Sequence, residues 1–198
     1  THIDHIKGIK SILKKQKPII YTLENNLEEK IEDTNLITHE KTYEEDELII
    51  NLFELSHDVP CLGVYLKEKD NELIYITDTG YIKEKLLKKY KNKTIYIIES
   101  NYEEEMLISG SYPFYLKQRI RSDRGHISNE DTCRYLKTLI GDKTKYICLA
   151  HLSEENNNPE IVKEKVNNTI NKLQNKPDRV IICSQIEKKE IILWGKIW

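Results

Sequence analysis

Apolar residues recur along this chain in two rhythms, one helical and one strand-like. Ile6, Ile9, Ile12 and Leu13 share a helical stripe over residues 6–17, which Pro18 stops before the β-rich Ile19-Ile20-Tyr21. Residues 26–31 carry a second short helical pattern. Residues 48–55 alternate as a strand that ends at Ser56-His57-Asp58. Two further β-rich runs, 62–67 and 73–77, flank Glu68-Lys69-Asp70-Asn71-Glu72, which reads as a charged hairpin turn, and Asp78-Thr79-Gly80 closes the second. From there strand and helix alternate: a helix over 81–90, a buried strand over 94–99 and a short helix over 102–108 that ends near Gly110. Ser128-Asn129-Glu130-Asp131 has the form of a capping box opening a helix to Ile140, with Gly141 as its stop and the apolar strand 146–150 leading to His151. Pro159 starts a last helix with Val162, Val166, Ile170 and Leu173 on one stripe, and strands over 180–183 and 191–194 finish the chain.

Composition narrows this α/β picture. At 198 residues, 38% hydrophobic and 32% charged, residues 1–198 are expected to form a single domain that buries a core without disulfides. The net charge of −2 excludes a bulk cationic field, so any site for a polyanion has to be local. Cys61, Cys133, Cys148 and Cys183 lie far apart with no CxxC pair, and are expected to be reduced core residues. No apolar run has the length of a membrane span, and the start has no charged segment followed by an apolar one. The cytoplasm is therefore the expected compartment, with no membrane contact. The chain opens at Thr1 and its single methionine is Met106, so a natural start further upstream is expected.

The candidate chemistry is metal binding. His2, His5, His57, His126 and His151 fall at ends of predicted elements or in polar turns, and only His39 lacks such a setting. One histidine so placed is usually a solvated residue. Five of them, with Asp4 and Asp78, favour a metal site. Taken singly, His2-x-Asp4-His5 also reads as a polar helix start, Asp78-Thr79-Gly80 as ordinary turn chemistry, and His126 as a residue beside a helix cap.

The order of these motifs resembles the metallo-β-lactamase superfamily. His2-x-Asp4-His5 matches the tail of its HxHxDH signature, whose first histidine would precede Thr1. Ser56-His57-Asp58, Thr77-Asp78-Thr79-Gly80, Gly125-His126-Ile127-Ser128 and Ala150-His151-Leu152-Ser153 follow in the family's order. With Glu99-Ser100-Asn101 and Glu154-Glu155-Asn156-Asn157, they resemble the YycJ/WalJ/VicX branch over essentially the whole chain. In that branch a histidine often follows the Glu-Ser-Asn run, where this chain has Tyr102. The resemblance implies a four-layer αββα sandwich of two mixed sheets, lacking its first N-terminal strands. It also implies two divalent ions, zinc or manganese. His2 and His57 would bind the first, Asp4, His5 and His151 the second, and Asp78 would bridge them with the nucleophilic hydroxide between. Asp4 and His126 are the expected catalytic residues, His126 by protonating or stabilising the leaving group. Glu99 and Asn101 fit a strand end and a helix cap as well as they fit partners of the ligands.

Lys117, Arg119, Arg121 and Arg124, close behind Tyr112-Pro113-Phe114-Tyr115, offer cations interleaved with aromatic faces for a phosphate-bearing substrate. The resemblance thus implies a metal-dependent phosphodiesterase, a nuclease acting on nucleic acid. Two alternatives stay open: a small-molecule hydrolase of thioesterase or lactamase type, and a non-catalytic nucleic-acid-binding or regulatory module.

Overall fold

A computed structural model describes residues 8–15, 20–22, 34–36, 42–45, 47–184, 187, 189–193 and 196–197. His2, Asp4, His5, His39 and the helical pattern over 26–31 lie outside these residues. In chain order the elements are α1 (Ile9–Leu13), β1 (Ile20–Thr22), β2 (Thr34–Leu36), β3 (Thr42–Glu45), β4 (Leu48–Glu54), β5 (Leu62–Glu68) and β6 (Asn71–Ile76). They continue with α2 (Glu84–Lys89), β7 (Ile95–Glu99), α3 (Glu104–Ser109), α4 (Phe114–Arg121), α5 (Asn129–Leu139), β8 (Tyr146–Ala150), α6 (Pro159–Ile170), β9 (Arg179–Ile182), β10 (Ile192–Leu193) and β11 (Lys196–Ile197).

β3 to β9 form one seven-stranded sheet in sequence order, antiparallel from β3 to β6 and parallel from β6 to β9. β1 and β2 make a separate parallel pair, and β10 and β11 an antiparallel one. The expected α/β class is therefore found. Of the expected pair of facing sheets, the described residues supply this large mixed one and the two small pairs.

Side-chain alternation divides the sheet into two faces. Ile74, Ile76, Tyr96, Ile98, Ile147 and Leu149 join Leu86, Leu136, Leu139, Val162 and Val166 of α2, α5 and α6 in the main core. The intervening residues Leu73, Ile95, Ile97, Cys148 and Ile181 line an apolar trough. Tyr96 is fully buried yet satisfied, because its hydroxyl lies 2.7 and 2.9 Å from the carbonyls of Tyr90 and Leu139 and accepts the Lys93 N–H. All four cysteines are free thiols, Cys133 and Cys148 buried and the other two half-buried.

Three local expectations change. The hairpin turn shrinks to Lys69-Asp70, because pairing runs out to Glu68↔Asn71 and Lys69 takes a φ of 53°. The helix expected from residue 81 begins at Glu84. Tyr81 and Ile82 are held extended by the Thr79 hydroxyl on the Tyr81 carbonyl and by the buried Tyr135 hydroxyl on the Ile82 N–H. The aromatic and basic segment read only as a phosphate rim is helix α4, which buries no residue fully and so carries no apolar stripe to betray it. Among the described residues, no helix is long and apolar enough to cross a membrane.

Candidate metal centre

Strand direction gathers the polar residues. β6, β7 and β8 are parallel, and β4 runs with them because β5 opposes both β4 and β6. Four C-terminal strand ends therefore open on one edge of the sheet, where α/β folds place their ligands. His57 follows β4, Asp78 follows β6, Glu99 ends β7 and His151 follows β8. The loop between α4 and α5 brings His126 over the same edge. A Cβ on Gly80 would lie 2.3 Å from the Ser122 carbonyl oxygen, so glycine alone admits this loop against the Asp78 turn.

Asp78 lies between two imidazoles. Its Oδ1 is 3.7 Å from His57 Nε2 and 3.6 Å from His151 Nε2, and the residue is buried. Asp78 and His151 both adopt a φ of 58°, a left-handed conformation that costs on the order of 1–3 kcal/mol at a non-glycine residue. That both sit at the convergence point marks a site shaped for its side chains rather than for backbone comfort. His57, Asp78 and His126 bring ligand atoms within 4.8 Å of one another, as do Glu99, His126 and His151.

Glu99 organises the histidines. Fully buried at the end of an apolar strand, it accepts from His126 Nδ1 and His151 Nδ1 through Oε1, each at 2.7 Å. Its other oxygen accepts from the Thr79 and Ile127 backbone N–H groups at 3.1 and 3.4 Å. Burial works to raise the Glu99 pKa, but the bonds and charges of His126 and His151 prevail and hold it below the ordinary carboxylate value. A carboxylate in this position fixes the proton of each ring on Nδ1. The Gly125 carbonyl does the same for His57, whose Nδ1 lies 3.0 Å away. Three imidazoles are thus set to present unprotonated Nε2 atoms, which is the tautomer a metal ligand requires.

The donor set fits a divalent cation. Unprotonated His57 Nε2 faces Asp78 and also Asp58 Oδ1 at 3.3 Å, so lone pairs confront carboxylates at an edge that a cation would reconcile. Imidazole and carboxylate donors suit zinc, manganese and iron. Burial, partly offset by Asp78, lowers the His57 pKa below its ordinary 6.5, keeping the ring neutral at physiological pH. With 6.5 as the unfolded value and a lower folded one, this ring favours the folded state fully above about pH 6.5 and less as pH falls from there. Divalent metal affinity is accordingly expected to be flat from pH 8 to about 7 and to weaken progressively below about 6.5, as measured by chelator competition. Affinity that rises on acidification would contradict a histidine-built centre.

These residues line a cleft of about 830 Å³ with Tyr112, Leu116, Arg119, Arg124 and Asn101. Of the expected site residues, the structure brings together His57, Asp78, His126 and His151. The four expected phosphate contacts divide. Lys117 donates to the carbonyls of Ile108 and Gly110 at 2.7 Å, Arg121 pairs with Glu104 at 2.6 Å, and Arg119 pairs with Asp58. Among the described residues, only the Arg124 guanidinium faces the cleft without a carboxylate partner. Tyr102, standing where a histidine often occurs in the resembling branch, is buried and bridges to Ser128 instead of entering the cleft. Sequence reasoning left Glu99 open between a strand end and a partner of the ligands, and gave Asp58 no role of its own. The available signal for Glu99 was a lone carboxylate completing an otherwise apolar strand.

The family described as the beta-lactamase superfamily domain matches residues 1–151. The exodeoxyribonuclease WalJ of Streptococcus pneumoniae serotype 2 is 34% identical over 171 residues, covering 81% of this chain and 64% of that protein. The exodeoxyribonuclease YycJ of Bacillus anthracis is 35% identical over 182 residues, covering 85% and 67%. This chain thus spans just under two thirds of the length of the pneumococcal relative. Among solved structures, the metallo-beta-lactamase fold protein YhfI from Bacillus subtilis superposes with a TM-score of 0.67 at 16% identity, over 92% of this chain and 71% of that one. Zn(2+)-bound PqqB from Methylobacterium extorquens gives 0.52 at 14% identity, over 76% and 50%. At such identities the likeness is one of fold.

Proposed function

The chain belongs to the beta-lactamase superfamily, in the branch of the exodeoxyribonucleases WalJ and YycJ, and from that membership we propose that it is a metal-dependent nuclease acting on DNA. The observation that carries this reading is the strand-end cluster in which Asp78 lies between His57 and His151 while Glu99 holds the rings of His126 and His151. We assign His57, Asp78 and His151 as metal ligands, completed through the opening motif by His2, Asp4 and His5. Two ions, zinc or manganese, are expected, with Asp78 shared between them. When bound they supply Lewis acidity at a phosphoryl oxygen and an activated water for in-line attack. All 198 residues are read as one domain of this fold.

The remaining steps fall to side chains of this chain. His126 lines the cleft with its ring centroid 5.1 Å from that of His57 and 5.3 Å from that of His151. Held through Nδ1, it turns an unprotonated Nε2 toward the cleft, where the ring would first take up a proton and then return it to the departing oxygen. Glu99 Oε1 lies 2.7 Å from His126 Nδ1 and fixes the orientation of the ring. Arg124 offers a charge for a flanking phosphate.

The test is incubation of the metal-loaded protein with end-labelled single- and double-stranded DNA and with RNA. Cleavage of DNA that stops on chelation is expected, with mononucleotides released from one end if the action is exonucleolytic. A metallated protein that leaves all three polymers intact but opens a thioester or a lactam would transfer the chain to the small-molecule hydrolases.

A further inference from the structure

Glu99, His126 and His151 reach the centre from separate stretches of chain: residues 99–103 at the end of β7, the turn 125–128 before α5, and residues 151–158 between β8 and α6. One buried pair of amides ties these stretches together. Asn157 Nδ2 lies 3.0 Å from Asn129 Oδ1, and Asn129 Nδ2 donates back to Asn157 Oδ1 at 2.9 Å. The same Asn157 Nδ2 lies 2.8 and 2.9 Å from the carbonyls of Ser100 and Asn101, directly behind Glu99. Asn101 passes the connection on, because its own Nδ2 donates at 2.8 Å to the carbonyl of His151, where the backbone holds its φ of 58°. The Ser100 hydroxyl donates to Asn129 Oδ1 at 2.7 Å. Asn129 Nδ2 also donates to Glu103, whose other oxygen accepts from Lys165 Nζ of α6 at 2.6 Å. Ser100, Asn129 and Asn157 are all buried.

Helix capping does not account for the pair. Ser128 caps α5 through the Asp131 N–H and Asn158 caps α6 through the Glu160 N–H, so the first turns are served by the residues beside the two amides. Asn157 Oδ1 adds only the Asn158 N–H, at 2.8 Å. A buried polar network whose members are all satisfied fixes one arrangement of the groups it joins. Here it joins Glu99 to the two histidines whose rings Glu99 holds. Resting on the metal-centre reading above, we propose that Asn157 is a positioning residue: through Asn129 and the Ser100 and Asn101 carbonyls it sets the spacing of Glu99, His126 and His151 from which these rings serve a divalent ion. Asn157 lies behind Asn101, which lines the cleft, and so acts on the centre through other residues. The leverage is large, because misplacing a reacting group by about 1 Å can cost about 100-fold in rate.

The probe is cobalt(II), whose visible spectrum reports the geometry of its ligands, titrated into the metal-free full chain. Asn157→Ala is expected to change the cobalt bands and to weaken cobalt binding about tenfold or more in chelator competition. In DNA cleavage it should lower kcat about tenfold or more and leave KM within about twofold. Val166→Ala, in the apolar core of α6, is the control for stability. It should lose melting temperature yet keep the wild-type cobalt spectrum. Ser100→Ala removes a single bond to the pair and should move the spectrum in the same direction by less; it carries the test if Asn157→Ala does not fold. The double variant Asn157→Ala, Asn129→Ala should bind cobalt no more weakly than the worse single variant, since the two amides act as one unit. A wild-type cobalt spectrum and affinity in Asn157→Ala and Ser100→Ala, or changes that Val166→Ala reproduces, overturn the assignment. So do fully additive losses in the double variant. Failure of the nuclease reading is seen separately: a spectrum that depends on Asn157 in a protein that cuts no polymer keeps the positioning role and removes the nuclease, while metal-dependent cleavage indifferent to Asn157 does the reverse.

Discussion

Asp78→Asn is expected to reduce metal-dependent hydrolysis by more than the roughly 10–100-fold typical of losing a ligand's outer partner, while leaving the unloaded protein folded. Asparagine is the informative replacement. Asp78 holds a φ of 58°, which asparagine tolerates and alanine resists, so alanine would mix backbone strain with the loss of charge. The amide keeps the shape of the carboxylate but removes the negative charge that stands 3.7 and 3.6 Å from the Nε2 atoms of His57 and His151. Metal content by atomic absorption and turnover should fall together, with the melting temperature in EDTA near that of wild type. An Asp78→Asn variant that retains both metal and turnover would remove Asp78 from the centre.

Replacing Glu99 by glutamine should weaken metal binding by roughly 10–100-fold and also destabilise the unloaded protein. The carboxylate receives four donors: two imidazole N–H groups and the backbone N–H groups of Thr79 and Ile127. An amide brings two donors of its own into that ring of donors. At least one buried N–H is left without an acceptor, at a cost of about 1–3 kcal/mol. Urea unfolding in EDTA reads the stability term and chelator competition reads the affinity. The pH dependence has a defined sign. The Glu99 pKa is held below its ordinary value, so its contribution is complete above about pH 4.5 and is lost as pH falls through the lower folded value. The glutamine variant should lack this limb and show a flatter stability profile in acid. Equal acid sensitivity in the two proteins would assign the limb to other carboxylates.

The contrast between these two residues shows how far the chain could be read without its fold. Asp78 lies in an Asp-Thr-Gly turn just beyond a strand, where alternation stops and polar side chains gather, so its position was legible in residues near it in sequence. His57, His126 and His151 were visible for the same reason. For Glu99 the sequence left a ligand partner and a plain strand end equally open, because the choice depends on His126 and His151, 27 and 52 positions away. Arg119 was read as a phosphate contact although its carboxylate partner Asp58 lies 61 positions earlier. Helix α4 passed unseen because its outer rings face solvent, and β3 because Thr42-Tyr43-Glu44-Glu45 is a polar edge strand whose only strong argument is pairing with β4.

By itself, the sequence determined what is local: the alternation that makes β4 to β9, the Ser128 and Asn158 caps that open α5 and α6, and the polar residues waiting at strand ends. Those features depend on neighbours within a turn or two, and periodicity records them directly. Only the tertiary structure decided which carboxylate meets which imidazole, which ring nitrogens carry protons, and which cations face the cleft. Each of those outcomes is a contact between residues tens of positions apart, created when parallel strands bring their ends to one edge, and no pattern along the chain encodes the distance between two such ends.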